Sequence, residues 1–473
     1  MLTISQTEIK NRLHFDNPWW ETGGIEKRYQ DYPRRFYFES FFKLVKESSI
    51  NRAAVLMGPR RVGKTVMIYH TVDGLLNGGV APTQILYVSL ETPLYTGLSL
   101  EKIVNLFQSE FGHKRDGNLF IIFDEIQYLA GWEVHLKSLV DSYPAYKFIA
   151  TGSAAAALKL KSRESGAGRF TDFLLPPLTF AEYLAFIDKT DELITPSTQQ
   201  GFWNTKNIIE LNKEFINYLN FGGYPEAVFS NLIQHDSARY IKSDIIDKVL
   251  LRDLPSLYGI SDVQELNKLF TTIAYNTGNE ITLDNLSKSS GVSKNTIKKY
   301  IEYLEAAFLI KIVNRVDFSS KTFKRATTFK VYLTNPSMRA ALFGPVDDGH
   351  QAMGALTETA IFSQWSHSDN IDNLHYARWN TGEVDIVWLD FATLKSVWCV
   401  EVKWSDQPCS DSRLLKGVIS YAKNNGINEL LVTTKTISKI GVFDDVEIQF
   451  QPSAAYAYTL GANILPARLT PIQ

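Results

Sequence analysis

A short apolar segment, Ala53–Met57, runs directly into the loop Gly58-Pro-Arg-Arg-Val-Gly-Lys-Thr65, and a helix-forming stretch follows it. A buried strand, a glycine-framed loop ending in Gly-Lys-Thr, and a helix are together the sequence context of a phosphate-binding loop. The two glycines let the backbone N–H groups turn inward, so that these groups and the positive end of the helix surround phosphate oxygens. A glycine-rich turn could match the pattern by chance, but an acidic motif further along the chain argues against that interpretation.

This loop is predicted to bind ATP with Mg²⁺. We expect Lys64 to contact the β- and γ-phosphates and the Thr65 hydroxyl to bind the Mg²⁺ ion. The residues expected to surround the nucleotide are those of the loop and the first helical turn, namely Gly58, Pro59, Arg60, Arg61, Val62, Gly63, Lys64, Thr65 and Val66.

The acidic motif follows a later apolar strand, Leu119–Phe123, which is closed by Asp124 and Glu125. Carboxylates at the carboxyl end of a parallel strand lie at the edge where such sheets bind ligands. Asp124 is predicted to hold Mg²⁺ through its water shell, and Glu125 to polarise the attacking water. Either residue alone would also suit a strand end that faces solvent, whereas the pair beside a phosphate-binding loop indicates ATP hydrolysis.

Polar residues that follow a further strand, Lys147–Ala150, give less specific signals. Thr151 and Ser153 are placed either to sense the terminal phosphate, with Thr151 binding the nucleotide, or to cap the next helix. Arg163 and Arg169 lie in or beside a Gly/Ser-rich loop. Arg169 is a candidate arginine finger that would act across a subunit boundary, and an ordinary surface salt bridge is the alternative.

Length and composition set broad limits on the chain. Its 473 residues predict about three domains, and its net charge of −2 means that any basic surface must be local. Two cysteines are too few for a disulfide framework and favour a reducing compartment. The N-terminal residues lack the apolar core of a signal peptide, and no segment approaches the ~18 apolar residues of a membrane span. We therefore expect a cytoplasmic protein without a membrane partner.

A basic segment, Ile281–Lys330, contains ten Lys and Arg residues against four acidic residues. The pattern Leu283–Ser290, a turn at Gly291 and a helix over Lys294–Ala307 predicts a helix–turn–helix, and two strands after it would complete a winged helix. We expect the open face of the second helix to contact DNA through its lysines. The alternative is a module that packs against protein and leaves a solvated basic face. The residues on that open face are Lys294, Asn295, Lys298 and Lys299.

Three later segments contain the residue types of a metal-dependent nuclease. Residues two apart on a strand point the same way, so Glu401 and Lys403 are predicted to face Asp385 on a neighbouring strand. With Glu358 from a helix, the carboxylates would bind one or two Mg²⁺ or Mn²⁺ ions, while Lys403 positions or deprotonates the attacking water. Asp…Glu-x-Lys is the signature of restriction-type nucleases. The alternative is an inactive nuclease-like fold in which these residues form a structural ion-pair cluster.

From about Asn51 to its end, the chain resembles the bacterial and archaeal AAA-type ATPases that carry a restriction-endonuclease-like C-terminal domain of unassigned function. Besides the motifs above, the resemblance rests on Gly168-Arg169, Pro177-Leu-Thr-Phe-Ala-Glu-Tyr183 and Gly222-Gly-Tyr-Pro-Glu226. It implies ATP binding and hydrolysis without implying a substrate. The chain departs from the family at Thr334-Asn335-Pro336, where an Asp is expected.

The expected fold class is α/β multidomain, with a P-loop AAA-type core, a helical lid, a winged helix and a restriction-endonuclease-like domain. The predicted divisions are 1–50, 51–184, 185–276, 277–343 and 344–473, the first being an N-terminal lead-in. Two functions stay open: an ATP-driven enzyme that acts on DNA, and a nucleotide-switched regulatory ATPase whose C-terminal domain only binds DNA or protein. ATP, DNA and further copies of the chain are the expected partners.

Overall fold

A computed structural model describes residues 5–47, 49–152, 168–322, 328–368 and 370–467 of the chain. The chain divides into two compact units, Met1–Pro176 and Pro177–Gln473. None of the helices in the described ranges combines the length and the apolar character that crossing a membrane requires. Cys399 and Cys409 are both buried free thiols.

The first unit is built on a parallel sheet of five strands in the order β2-β3-β4-β1-β5. Its central strands are continuous apolar runs because both faces are covered, as is usual for parallel sheets. The strands are β1 Ala53–Met57, β2 Ile85–Ser89, β3 Phe120–Asp124, β4 Lys147–Gly152 and β5 Phe170–Leu174. The helices and single turns of this unit are Gln6–Asp16, Trp19–Thr22, Lys27–Gln30, Phe38–Lys46, Lys64–Asn77, Pro82–Gln84, Pro93–Tyr95, Leu100–Phe111, Ile126–Tyr128 and Trp132–Ser142. The expected α/β architecture with a parallel core sheet is confirmed.

The N-terminal segment covers the exposed edge of strand β2. The Asn17 side chain donates to Tyr87 O at 2.8 Å and accepts from Tyr87 N at 2.6 Å, as a neighbouring strand would. The indole N–H groups of Trp19 and Trp20 donate to Ile85 O at 3.2 and 2.8 Å. These bonds satisfy backbone groups that an open sheet edge would leave unpaired.

The second unit contains a sheet of nine strands in the order β15-β16-β14-β13-β12-β11-β9-β10-β8 and a separate hairpin, β6-β7. Its strands are β6 Ile194–Pro196, β7 Trp203–Thr205, β8 Glu280–Thr282, β9 Ile310–Val316, β10 Thr328–Leu333, β11 Leu374–Trp379, β12 Gly382–Leu389, β13 Ser396–Glu401, β14 Glu429–Thr434, β15 Lys439–Phe443 and β16 Val446–Pro452. Its helices and helical turns are Phe180–Phe186, Thr190–Leu193, Ile208–Phe221, Pro225–Phe229, Asn231–His235, Ala238–Asp247, Val249–Asp253, Leu254–Tyr258, Val263–Tyr275, Leu283–Ser290, Lys294–Ala306, Ser337–Phe343, Met353–Trp365, Ile371–Asn373, Gln407–Cys409, Ser412–Leu415, Lys416–Asn425 and Ser453–Ala467.

One sheet runs through the predicted boundary at 343/344. Strand β9 pairs in parallel with β11, with Arg315 opposite Tyr376 and Val316 opposite Ala377. Strands from the basic segment and strands carrying the predicted nuclease motif therefore share one layer. The predicted domain divisions stay predictions, and the predicted helical lid, 185–276, also contains the hairpin β6-β7.

The Gly222-Gly223 turn contacts the segment in which the chain departs from the resembling family. A Cβ atom added to Gly223 would lie 1.6 Å from Asn335 Nδ2, so no larger residue fits there without displacing that amide. The Gly223 N–H donates to Ser337 Oγ at 3.3 Å, and Asn335 Oδ1 accepts from Ser337 N at 2.7 Å. Close packing on Asn335 is thus the reason for glycine at this position.

Candidate functional site

The phosphate-binding loop follows β1 and leads into the helix Lys64–Asn77. Gly63 adopts φ 93°, a left-handed conformation that favours glycine. A Cβ atom on Gly58 would lie 2.2 Å from the Leu175 carbonyl oxygen. Both glycines are therefore required by local geometry, and the helix begins at Lys64, where its first N–H groups lack intrahelical partners.

Lys64 is held against the loop that precedes it. Its Nζ donates to Gly58 O at 3.0 Å and to Pro59 O at 2.8 Å, and the residue is 5% exposed. A buried ammonium group beside the N-terminus of a helix provides a positive charge where phosphates would bind.

Asp124 lies at the end of β3 and receives hydrogen bonds from three hydroxyl groups. Thr65 Oγ1 donates to Asp124 Oδ2 at 3.0 Å, and Tyr87 OH donates to the same oxygen at 2.8 Å. The Thr151 hydroxyl donates to Oδ1. Burial raises the pKa of Asp124, as does the neighbouring Glu125 carboxylate, while the hydroxyl donors oppose the rise. Adjacent hydroxyl and carboxylate oxygens are the ligands that Mg²⁺ prefers, so these residues fit a Mg²⁺ ion.

The strand order explains how the two motifs meet. Strand β4 lies between β1 and β3, and Thr151 on β4 is opposite Leu56 on β1. The Thr151 hydroxyl therefore bridges the gap, donating to Asp124 and accepting from the Glu125 N–H at 3.1 Å. Neither role expected for Thr151 included this bridge. Ser153, Arg163 and the stretch that Thr151 would cap lie outside the described residues.

Glu125 and Arg169 occupy different surroundings. Glu125 has φ 54°, in the left-handed region, and its side chain accepts a hydrogen bond from the Gln127 amide. Arg169 forms an ion pair with Asp141, and both side chains are 42% exposed. This pair is the surface salt bridge considered for Arg169, and the arginine-finger role stays a prediction.

Arg35, in the N-terminal segment, supports the loop from behind. Its guanidinium donates to Val62 O at 2.7 Å and to Pro176 O at 2.9 Å, and the residue is 5% exposed. The buried Arg35 guanidinium thus hydrogen-bonds both to the phosphate-binding loop and to the segment that follows β5. Sequence reasoning missed Arg35 because nothing in the order of residues 1–50 links it to the loop.

The helix Lys294–Ala306 presents the predicted DNA-contacting residues. Asn295, Lys298 and Lys299 are exposed, while Lys294 forms an ion pair with Asp284. The basic excess counted over this segment does not all reach the surface, because Lys330 is 2% exposed. Lys324 and Arg325 lie outside the described residues.

The predicted nuclease residues converge, but around a lysine that was not predicted to be there. Lys330 Nζ on β10 lies 2.8 Å from Glu358 Oε1, 3.1 Å from Asp385 Oδ1 and 3.2 Å from Glu383 Oε1. Lys403 Nζ lies 2.6 Å from Glu401 Oε1 and 3.7 Å from Asp385 Oδ2.

Burial and mutual repulsion perturb these carboxyl groups. Burial, reinforced by the Asp385 charge, raises the pKa of Glu358 to about 7 and that of Glu401 to about 8. Burial also acts to raise the pKa of Asp385, but the ammonium groups of Lys330 and Lys403 outweigh it and lower that pKa overall. Of these three carboxyl groups, Asp385 is therefore the one whose surroundings favour the negative charge, since it lies between Lys330 and Lys403.

This arrangement does not fit a resident metal ion. The Lys330 ammonium fills the space between Glu358 and Asp385, and nowhere in the described ranges do three or more His, Cys, Asp or Glu side chains form a group that could hold a metal ion. The interpretation of Glu358, Asp385 and Glu401 as ligands of Mg²⁺ or Mn²⁺ is therefore not supported by the geometry. The sequence signal for this outcome was a single charged residue, Lys330, inside the otherwise apolar end of β10.

Comparison with known proteins gives partial matches. Residues 50–184 match the AAA domain family. Residues 212–348 match a family described as a domain of unknown function. An uncharacterized protein of Methanocaldococcus jannaschii is 23% identical over 71% of this chain and 72% of its own length. An uncharacterized protein of Haemophilus influenzae is 26% identical over 64% of this chain and 72% of its own.

Solved structures align over much of the chain at low similarity. The Walker-type ATPase of Pyrococcus abyssi aligns with a TM-score of 0.41 at 17% identity, covering 65% of this chain and 96% of that one. Cdc6p of Pyrobaculum aerophilum aligns with a TM-score of 0.29 at 15% identity, covering 67% and 97%. The AAA domain match, residues 50–184, includes the loop Gly58–Thr65 and all five strands of the parallel sheet.

Proposed function

We propose that the chain binds ATP with Mg²⁺ at the loop Gly58–Thr65 and hydrolyses it. The observation that carries this proposal is the 3.0 Å contact between the Thr65 hydroxyl and Asp124. It brings the two halves of a nucleotide site together from strands that are not adjacent. Mg²⁺, when bound, neutralises phosphate charge and orients the terminal phosphate for in-line attack.

The side chains have distinct tasks in this proposal. Lys64 leaves the loop carbonyls to pair with the phosphates, and the loop N–H groups bind phosphate oxygens. Thr65 and Asp124 would hold the ion. Glu125 takes the position of the group that polarises water, and Thr151 fixes the backbone that carries it.

Two variants and a control test the ATPase proposal. Lys64→Ala is expected to lose nucleotide binding and turnover. Glu125→Gln is expected to keep binding and lose turnover by about 10²–10⁴-fold. Lys102→Ala, an exposed lysine of the same unit, serves as the matched control. Turnover by Lys64→Ala equal to wild type would remove the assignment of the loop.

We further propose that the ATPase works with DNA through the helix Lys294–Ala306. The exposure of Lys298 and Lys299 supports this, since lysines on phosphates give a salt-sensitive, sequence-independent affinity. The double variant Lys298→Glu/Lys299→Glu is expected to weaken duplex binding and flatten its salt dependence, with Lys395→Glu as the control. Equal binding by wild type and the double variant would contradict the proposal and favour the protein-packing alternative.

Cleavage of DNA by the C-terminal cluster is the second candidate activity, and Lys403 beside Glu401 and Asp385 is the observation in its favour. The test is incubation of linear, single-stranded and branched DNA with the purified protein in Mg²⁺ or Mn²⁺, beside Asp385→Ala and Lys403→Ala. Cutting that both variants abolish would establish a nuclease. DNA-stimulated ATP hydrolysis without cutting would favour the regulatory ATPase, the alternative that the buried Lys330 supports.

A homo-oligomer belongs to the same proposal, because an arginine finger from a neighbouring copy would complete each site. Arg169→Ala mixed with Lys64→Ala tests it, since one variant lacks the finger and the other the nucleotide. Turnover restored on mixing supports a shared site. Wild-type turnover by Arg169→Ala alone contradicts it.

A further inference from the structure

We infer that Lys330 is the resident cation of the carboxylate cluster, and that its ammonium group excludes a divalent metal ion from Glu358, Glu383 and Asp385. The inference concerns the second unit and does not depend on ATP hydrolysis.

The ammonium group of Lys330 has carboxylate partners on three residues. A lysine ammonium has three N–H donors and no acceptor. Lys330 Nζ has three carboxylate partners, at 2.8, 3.1 and 3.2 Å. The residue is 2% exposed, so these carboxylates replace water as its bonding partners. Two of the donors are hydrogen-bonded, to Glu358 and Asp385, and Glu383 adds an ion pair, so the buried charge is compensated.

The electrostatic balance keeps this lysine charged. Burial by itself lowers the pKa of Lys330, but the Glu358 carboxylate, with Asp385 and Glu383, outweighs burial and raises it. A neutral amine would leave Glu358 without an ion-pair partner in the described part of the chain and Asp385 with Lys403 alone. Lys330 thus compensates the charge of several carboxylate oxygens, as a metal ion does in a carboxylate site.

Three oxygens of these carboxylates also contact other protein donors. Glu358 Oε1 accepts from Tyr332 OH at 2.5 Å, and Asp385 Oδ2 accepts from Val402 N at 2.9 Å. The other oxygen of Glu383 lies 3.1 Å from Arg378 Nη1. A divalent ion would need these lone pairs and would lie within a few ångströms of the ammonium charge, so metal and lysine exclude each other.

The lysine and the carboxylates come from different elements. Lys330 lies on β10, Glu358 on the helix Met353–Trp365, and Glu383 and Asp385 on β12. In the sheet, β9 and β11 separate β10 from β12. Occupancy of the cluster by the ammonium group therefore depends on the position of β10, the strand that the basic helix–turn–helix segment precedes.

The test measures metal binding directly. Nucleotide-free full-length chain is titrated with Mn²⁺, and bound ion is counted by electron paramagnetic resonance, for wild type, Lys330→Met and Lys330→Met/Asp385→Asn. We expect no Asp385-dependent ion in the wild type, a gain of one Mn²⁺ ion per chain in Lys330→Met, and its loss in the double variant. Lys311→Met, which removes a lysine from the neighbouring strand β9, is the matched control and should gain nothing.

The melting temperatures of the Lys330 variants show whether each variant still folds. Removing one partner of a buried ion pair leaves uncompensated charge, so Lys330→Met is expected to melt below wild type and to recover in Mn²⁺. Lys330→Gln keeps N–H donors for the carboxylates without the charge and is the second variant. An Asp385-dependent Mn²⁺ ion in the wild type would overturn the inference, as would folded Lys330→Met and Lys330→Gln that gain no ion.

Discussion

Replacement of Glu401 by Gln should change how the stability of the chain depends on pH. Glu401 is 8% exposed, and burial with the Asp385 charge raises its pKa from 4.5 to about 8. Between those values the folded chain keeps a proton that the unfolded chain has released. The free energy of unfolding therefore falls as pH rises, by up to about 1.4 kcal/mol per pH unit for one proton. This contribution is fully present below about pH 4.5 and is lost as pH rises through about 8.

Gln carries no titrating proton, so Glu401→Gln should lose this slope. Across pH 5 to 8 its stability relative to wild type should improve by on the order of 3 kcal/mol, allowing for relaxation of the site. Glu358, whose pKa is raised to about 7, leaves a weaker slope of the same sign in the variant.

Urea unfolding followed by tryptophan fluorescence at several fixed pH values measures this difference. Trp388 and Trp398 pack near Trp365 in the same unit, with ring centroids 5.6 and 5.7 Å away, and so report on it. Glu429→Gln, at an exposed position on β14, is the control and should follow wild type. Identical pH dependence of Glu401→Gln and wild type would refute the argument.

Three further perturbations test other parts of the structure. Arg35→Met removes two buried hydrogen bonds behind the phosphate-binding loop and should weaken nucleotide binding by about 10–100-fold in equilibrium titrations. Arg34→Met, at an exposed ion pair, should not weaken it. Equal nucleotide affinities of Arg35→Met and wild type would show that the loop needs no such support. Gly223→Ala forces a Cβ atom against the buried Asn335 amide and should lower the free energy of unfolding by about 1–3 kcal/mol, and the melting temperature with it. Gly354→Ala has open space around its Cβ and should leave the melting temperature unchanged. An unchanged melting curve for Gly223→Ala would contradict the packing. Tyr87→Phe removes a hydroxyl donor from Asp124 and should raise the Mg²⁺ concentration for half-maximal ATP hydrolysis by about 10-fold. An unaltered Mg²⁺ dependence would exclude a role of Tyr87 in positioning Asp124.

Contiguous motifs could be interpreted from the chain alone. The loop Gly58–Thr65 holds its strand, its glycines and its lysine within one stretch, so local backbone geometry makes its shape predictable. The same holds for the helix after Gly291, where a left-handed glycine and a capping serine mark the boundaries. Apolar runs likewise predicted β1, β3 and β4 to within one or two residues, whereas β5 was not predicted.

Contacts between distant residues could not be read in this way. Thr151 was placed correctly at the end of β4, but its bridge to Asp124 and Glu125 depends on β4 lying between β1 and β3. Arg35 and Tyr87 carry no motif, and only packing brings them to the loop and to the carboxylate.

The positions of charge, phosphate-binding backbone and carboxylates along this chain follow from the amino-acid order alone, because each depends on residue type and on neighbours within a few positions. Which of those charges come into contact depends on how the strands and helices pack. Lys330 counted as one more basic residue of the segment Ile281–Lys330, and its partner Asp385 lies 55 residues away along the chain. In the folded chain Lys330 is buried and lies among the carboxylates of Glu358, Glu383 and Asp385. A charge that is removed from water is stable only when it has such partners within the protein.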